Sequence, residues 1–184
     1  RRHTRFKCDW SSDVCSSDLK ENIKKEITKL KKNDGSFIGF APISKMANKS
    51  LLQEQMHVIV NYCNKHNLIV LHNKQMPIFE KLGVPVLVTN HLQDWLAAIN
   101  CMDYMITVDT AAFHAAGGLK KPLTGIFTFA NGKTYGKYYD FILVQKHRDN
   151  GNWECGPCFK FGDCPKSKKA LKDRKSTRLN SSHT

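Results

Sequence analysis

Tyr104-Met105-Ile106-Thr107-Val108-Asp109-Thr110-Ala111-Ala112-Phe113-His114-Ala115-Ala116 decides the fold. Five apolar and β-branched residues read as a strand. Asp109-Thr110 then leads, with no linker, into a run of small residues that predicts a helix through Leu119. Pro122 marks a turn, and Leu123 to Phe129 predicts the next strand. A strand running straight into a helix and out to another strand is the unit of a parallel sheet.

The same alternation extends to both sides. Upstream, Phe37 to Ala41 reads as a strand and Pro42 to Asn48 as a loop. Leu52, Met56, Ile59, Val60 and Cys63 keep helical spacing, and Leu68 to Leu71 is the unbroken apolar run of a strand buried on both faces. Gln75 to Leu82 predicts a short helix stopped by Gly83. Val84 to Val88 predicts a strand that Pro85 confines to a start or an edge. Thr89 or Asn90 is placed to cap a helix bearing Leu92, Leu96 and Ile99. Phe141 to Val144 predicts a last short strand. Ahead of all this, Ile23, Ile27 and Leu30 give Lys20 to Lys32 the pattern of a short amphipathic helix, ended by Asn33-Asp34-Gly35. The expected class is α/β, a Rossmann-like parallel sheet with helices on both faces.

Composition agrees with a packed domain. The chain has 184 residues, 41% of them hydrophobic, which is enough for a core and excludes wholesale disorder. Its aliphatic runs are strand-sized, so no membrane-spanning helix is expected. A formal charge of +13 points towards anionic partners.

In open parallel sheets ligands bind beyond the carboxyl ends of the strands. Two such ends carry suggestive chemistry. After Val108, the uncovered N–H groups of Ala111 and Ala112 and the start of the helix dipole suit a phosphate, although an ordinary N-cap on a tightly packed helix explains the same residues. After Ala41, the Ser44 hydroxyl and the Lys45 and Lys49 ammonium groups suit a diphosphate, and equally a solvated basic loop.

Taken together these segments resemble glycosyltransferase family 9, the heptosyltransferase-like enzymes of bacterial surface-polysaccharide assembly. The resemblance lies in Phe40 to Leu52, in Asn90 to Ile99, and most sharply in Asp103 to Ala116 followed by Lys121-Pro122. It implies one half of a two-domain GT-B fold, the donor-binding half. It also implies a nucleotide-diphosphate sugar donor, commonly ADP-heptose, metal-independent inverting transfer, and a lipopolysaccharide or other glycan acceptor. Carried over by position, Lys49 with Ser44 would contact the diphosphate. Asp109 and Thr110, with the N–H groups of Ala111 and Ala112, would hold the phosphate and sugar, and Asn90 would approach the base. The catalytic general base is expected outside this chain, so residues 20–172 alone are expected to bind donor weakly and transfer nothing. No cofactor is required. The implied location is cytoplasmic, with peripheral contact at the inner face of the membrane. Three departures stand out: Ala111 replaces the usual Gly, no Trp-Pro follows Lys49, and His72-Asn73-Lys74 occupies the place of a Gly-Gly and a ribose-binding Glu.

Both termini read differently. One DNA string encoding Asp173 to His183 also encodes Asp9 to Asp18 when its reverse complement is read in another frame, and it resembles a short-read sequencing adapter. Residues 1–19 and 173–184 are therefore expected to be adapter-derived. That leaves 20–35 as a linker helix, 36–150 as the nucleotide-sugar-binding domain and 151–172 as a cysteine-containing loop, all from a longer protein.

Within that loop Cys155, Cys158 and Cys164 form C-x₂-C-x₅-C. A structural zinc wants four ligands, and His147 is an available fourth. A reduced thiol cluster is the alternative. Cys63 and Cys101 fall on helix faces and are expected in the core. The competing functional class is a basic nucleic-acid-binding or metal-binding module without catalytic activity. Against it, the lysines are scattered, with neither an aromatic RNA platform nor zinc-finger spacing.

Overall fold

The computed structural model describes residues 17–128 and 130–145. Its six strands are β1 (Phe37–Ala41), β2 (Asn67–His72), β3 (Val86–Val88), β4 (Tyr104–Val108), β5 (Leu123–Phe127) and β6 (Ile142–Gln145). They form one sheet in the order β3-β2-β1-β4-β5-β6, and every neighbouring pair is parallel. The chain moves outward from β1 to β3, crosses back beside β1, and moves outward again through β4, β5 and β6. That reversal opens a crevice between the loops that leave β1 and β4.

Six α-helices connect and cover the strands: α1 (Ser17–Lys29), α2 (Gln53–Tyr62), α3 (Pro77–Lys81), α4 (Leu92–Cys101), α5 (Ala111–Gly118) and α6 (Gly132–Tyr135). The two-residue alternation of a strand sorts the core into two layers. On one face Ile38, Phe40, Leu68, Val70 and Val108 pack with Leu51, Met56, Cys63 and Phe79 from the α2 and α3 region. On the other, Ile69, Leu71, Met105, Leu123 and Phe127 pack with Ile27, Ala98, Ile99, Met102, Phe113 and Ala116 of α1, α4 and α5. Consecutive β2 residues thus feed opposite layers, which is why Leu68 to Leu71 is apolar at every position. The fold class is the one expected.

Several details differ from the sequence-based expectation. The first helix is observed at Ser17–Lys29 rather than Lys20 to Lys32, because Leu30 and Lys31 bond three residues back and tighten the exit. It packs on the sheet's helical layer, with Ile27 buried among Ala98, Ile99 and Met102. Asn67 secures the exit. Its Oδ1 accepts from the N–H groups of Lys32 (2.7 Å) and Asn33 (3.1 Å), and its Nδ2 donates to the carbonyls of Asn33 (3.0 Å) and Gly35 (2.5 Å). Neither Thr89 nor Asn90 caps α4. The N-cap position falls on His91, which makes no side-chain cap bond, while the Thr89 N–H still extends the sheet by bonding the His72 carbonyl at 3.2 Å. Leu92, at the helix entry, is 68% exposed. The strand after Pro85 is only Val86–Val88, at the sheet edge, and β5 stops at Phe127. The short α6 was not expected. Asn131 Oδ1 accepts from the N–H groups of Lys133 and Thr134, and Gln145 Oε1 accepts from Gly132 N–H at 3.0 Å, tying its start to the end of β6. Among the described residues no helix is long and apolar enough to cross a membrane.

Candidate functional site

β1 and β4 end level with one another, with Ala41 paired to Thr107. Each therefore delivers its loop to the same place. The loop after β1 contains a short 3-10 turn, Ala47–Lys49, and projects Lys49 across to the residue that follows β4. Lys49 Nζ lies 2.7 Å from Asp109 Oδ2, with the two side chains 16% and 7% exposed. No further hydrogen-bond donor is aligned on that oxygen among the described residues. A lysine and an aspartate sixty residues apart are thus paired at the point where the sheet order reverses.

Next to Asp109, α5 begins with its N-terminus open. Thr110 occupies the N-cap position with extended backbone, but its side chain makes no cap bond. Its Oγ1 lies 3.3 Å from both the Val108 carbonyl and Thr107 Oγ1, and Thr107 Oγ1 donates to that carbonyl at 2.9 Å. Both hydroxyls lie at the strand end, and the Thr110 oxygen accepts no cap bond from the first N–H groups of the helix. The N–H groups of Ala111 and Ala112 stand at the positive end of the helix dipole.

A shallow cleft of about 320 Å³ lies alongside. It is lined by Thr110, Ala111 and Ala112 on one side, by Asn90, His91 and Trp95 on another, and by Ala41, Ile43, His72 and Asn73 at the strand ends. Among the described lining residues none is acidic. The cleft can receive a planar group against Trp95 and Ile43, with amide and imidazole groups at its edge, while an attached anion reaches Ala111 and Ala112.

Of the residues singled out from sequence, Lys49 and Asp109 meet directly, and Asn90, Thr110, Ala111 and Ala112 surround one cleft. Lys49 and Asp109 are not among its lining residues, and neither is Ser44. Its Oγ accepts from Met46 N–H at 3.3 Å and its own N–H donates to Ser50 Oγ at 2.9 Å, so it shapes the Lys49 loop. Trp95 and His91 were missed. A Trp one turn into a helix that follows a strand end was the available signal. His72 begins the segment where the resemblance implies a Gly-Gly and a ribose-binding Glu, and its ring turns back on Lys74, whose N–H lies 3.3 Å from Nδ1. His147, Cys155, Cys158 and Cys164, the suggested zinc ligands, lie outside the described residues. Among the described residues no group of three His, Cys, Asp or Glu is gathered for a metal.

Comparison with known proteins agrees with this architecture. The sequence profile of glycosyltransferase family 9 (heptosyltransferase) matches residues 16–168. A search of curated proteins found no match. Among solved structures, a family 9 glycosyl transferase from Veillonella parvula superposes with a TM-score of 0.62 at 16% identity, covering 90% of this chain and 46% of that one. The E. coli ADP-heptose lps heptosyltransferase II gives 0.57 at 10% identity, covering 88% and 51%. E. coli heptosyltransferase WaaC with ADP gives 0.54 at 14% identity, covering 67% and 42%. The chain therefore spans about half the length of the solved structures it matches.

Proposed function

The chain belongs to glycosyltransferase family 9, and from that premise we propose that its domain binds the nucleotide-diphosphate sugar donor of a glycosyltransferase. The sugar is heptose-like and the acceptor a lipopolysaccharide or related glycan, by analogy with the matched E. coli ADP-heptose lps heptosyltransferase II. The single observation that carries the reading is the Lys49–Asp109 pair beside the uncapped start of α5. A diphosphate placed there gains an ammonium group and two backbone donors together.

The roles follow from charge and position. Lys49 exchanges part of its interaction with Asp109 for the diphosphate, a charge-assisted contact that offsets loss of the resting pair. The N–H groups of Ala111 and Ala112 donate to phosphate oxygens, and Asp109, released in part, accepts from sugar hydroxyls. Asn90 and Trp95 face the base, and Ser44 supports the Lys49 loop. Transfer also needs a base to take the acceptor proton while the nucleoside diphosphate leaves. Asp109 is paired with Lys49 and no described residue lining the cleft is acidic, so that base is assigned to another part of the whole enzyme. Lysines on α1 and the loops would favour an anionic membrane face, where a lipid-linked acceptor is reached from the cytoplasm.

The test is a salt-titrated binding experiment on the full chain, comparing ADP with a mixed-sequence oligonucleotide. ADP is the first nucleotide to try because one matched structure was solved with it. The expected result is saturable ADP binding that Lys49→Met weakens at least tenfold. Absence of ADP binding, with steeply salt-dependent oligonucleotide binding, would instead establish a basic nucleic-acid module.

A further inference from the structure

We propose that Ser50 is a positioning residue: its hydroxyl locks the loop that delivers the Lys49 ammonium to Asp109, and through Lys49 it sets the affinity for a nucleoside diphosphate. The second half rests on the donor-binding reading above, while the first stands on geometry alone.

The loop leaves β1 at Pro42 and is closed at its base by the Leu51 N–H, which donates to the Pro42 carbonyl at 2.9 Å. Between these points the described backbone bonds are short-range: Lys49 N–H to the Met46 carbonyl at 3.0 Å and Ser50 N–H to the Ala47 carbonyl at 3.2 Å. Such a three-residue 3-10 turn holds its shape poorly by itself, and Met46 at its N-cap contributes no side-chain bond. The Ser50 hydroxyl ties the two ends of this stretch together. Its Oγ accepts from Ser44 N–H at 2.9 Å and faces the carbonyls of Ser44 at 3.2 Å and Met46 at 3.3 Å, which share its one proton. One side chain thereby clamps Ser44, Met46 and its own backbone into a closed ring of contacts.

Lys49 sits immediately before the clamp. Its long stem has many rotamers, and freezing them on one partner costs entropy. A fixed Cα lowers that cost, and the observed result is a Nζ only 2.7 Å from Asp109 on a side chain 16% exposed. Without the clamp, Ser44 and Met46 can part from Ser50, the Lys49 Cα drifts, and the ammonium spends its time in water.

Two readouts on the full chain test this. The first needs no ligand. Lysines are acetylated with an N-hydroxysuccinimide ester, and the Lys49 peptide is quantified by mass spectrometry against exposed Lys65. Ser50→Ala should raise Lys49 acetylation several-fold and Ser50→Thr, which keeps the hydroxyl, should restore protection. Ser50→Cys serves in place of Ala if that variant fails to fold, as judged by its thermal transition. The second readout is the Kd for ADP. Loss of one such bond corresponds to roughly tenfold weaker binding in Ser50→Ala, and adding Ser50→Ala to Lys49→Met should weaken it no further. Unchanged Lys49 acetylation in a folded Ser50→Ala chain would overturn the proposal, as would an undiminished Ser50→Ala effect on the Lys49→Met background. Failure of the donor reading looks different: the unaltered chain binds no ADP, yet Lys49 acetylation still responds to Ser50, which supports the clamp.

Discussion

Lys120 has φ +54° in the loop that ends α5, and it is the non-glycine residue with positive φ among those described. The local bonds explain why. Lys120 N–H bonds the Gly117 carbonyl and Lys121 N–H the Ala116 carbonyl, the paired 5→2 and 6→1 contacts of a Schellman ending. α3 ends in the same way, with Gly83 at φ +64° and its neighbour Val84 bonded to Phe79. One ending uses glycine where the backbone turns left-handed; the other places a Cβ there. Lys120→Gly is expected to stabilise the chain by about 0.5–1 kcal/mol, since relief of the left-handed strain exceeds the added freedom of the unfolded chain. Chemical denaturation read by circular dichroism checks it. Asp109 makes the opposite case. Asp109→Asn leaves the mostly buried Lys49 ammonium without its counter-charge, and the expected loss is about 2–3 kcal/mol, below the range for a fully buried pair because Lys49 retains some access to water. Equal stability of the two chains in urea would show that the pair is not held in solution. Cys63 shows burial acting on chemistry, because desolvation pushes its thiol up from the ordinary value. A proton held more tightly in the folded state gives stability that is complete below the unfolded pKa and is lost as pH rises through the folded one. At pH 8 the Cys63 peptide should therefore react with iodoacetamide far more slowly than that of part-exposed Cys101, a difference that denaturation removes.

At the scale of elements, closeness of approach matters most. Gly125, in the middle of β5, lies under α5, where an added Cβ would come within 2.5 Å of the Phe113 ring and 3.0 Å of Phe127. Phe113 has little room to retreat, since Phe127, Tyr139 and Phe141 contact it edge-on at centroid distances of 5.1, 5.6 and 4.9 Å. Gly125→Ala should cost about 1–3 kcal/mol through displacement of that aromatic cluster, and near-ultraviolet circular dichroism should lose intensity with it. Here lies the boundary of what the sequence made legible. The strands and their parallel arrangement were readable because the unbroken run Leu68 to Leu71 and the junction Val108-Asp109 carry strong local patterns. The start of α4 was not, because Thr89 is recruited by His72 of the neighbouring strand, a contact that no local rule contains. α6 depends on Gln145, fourteen residues after Asn131, and was invisible for the same reason. At the site, Asp109, Thr110 and the alanines were found through their motif. The partnership of Lys49 with Asp109 required the register of β1 against β4, and the Ser50 clamp required the folded loop.

For the whole molecule, the two apolar layers lie on opposite faces of a single sheet and share its strands residue by residue. β2 alone contributes Leu68 and Val70 to one layer and Ile69 and Leu71 to the other, so neither layer can come apart without disrupting the strand that builds its partner. α1 and α2 are accordingly expected to unfold together with the sheet in one transition, despite packing on different faces. The candidate site sits between the layers, at the carboxyl ends of β1 and β4, with Lys49 from the loop beside one layer and α5 from the other. A ligand that bridges them binds only the folded chain. Its stabilisation should therefore be global, and mass action sets its size. At a hundred times its Kd, ADP should add about 2.7 kcal/mol, or roughly 8 °C in Tm for a domain of this size, with the transition still single. Differential scanning calorimetry of the full chain across an ADP series would follow both quantities. A rise that grows with the logarithm of ADP concentration and vanishes in Lys49→Met would tie the stabilisation to the Lys49 site. A transition that splits on adding ADP would show instead that the ligand steadies one layer alone, and that the shared strands do not couple the two faces as their register implies.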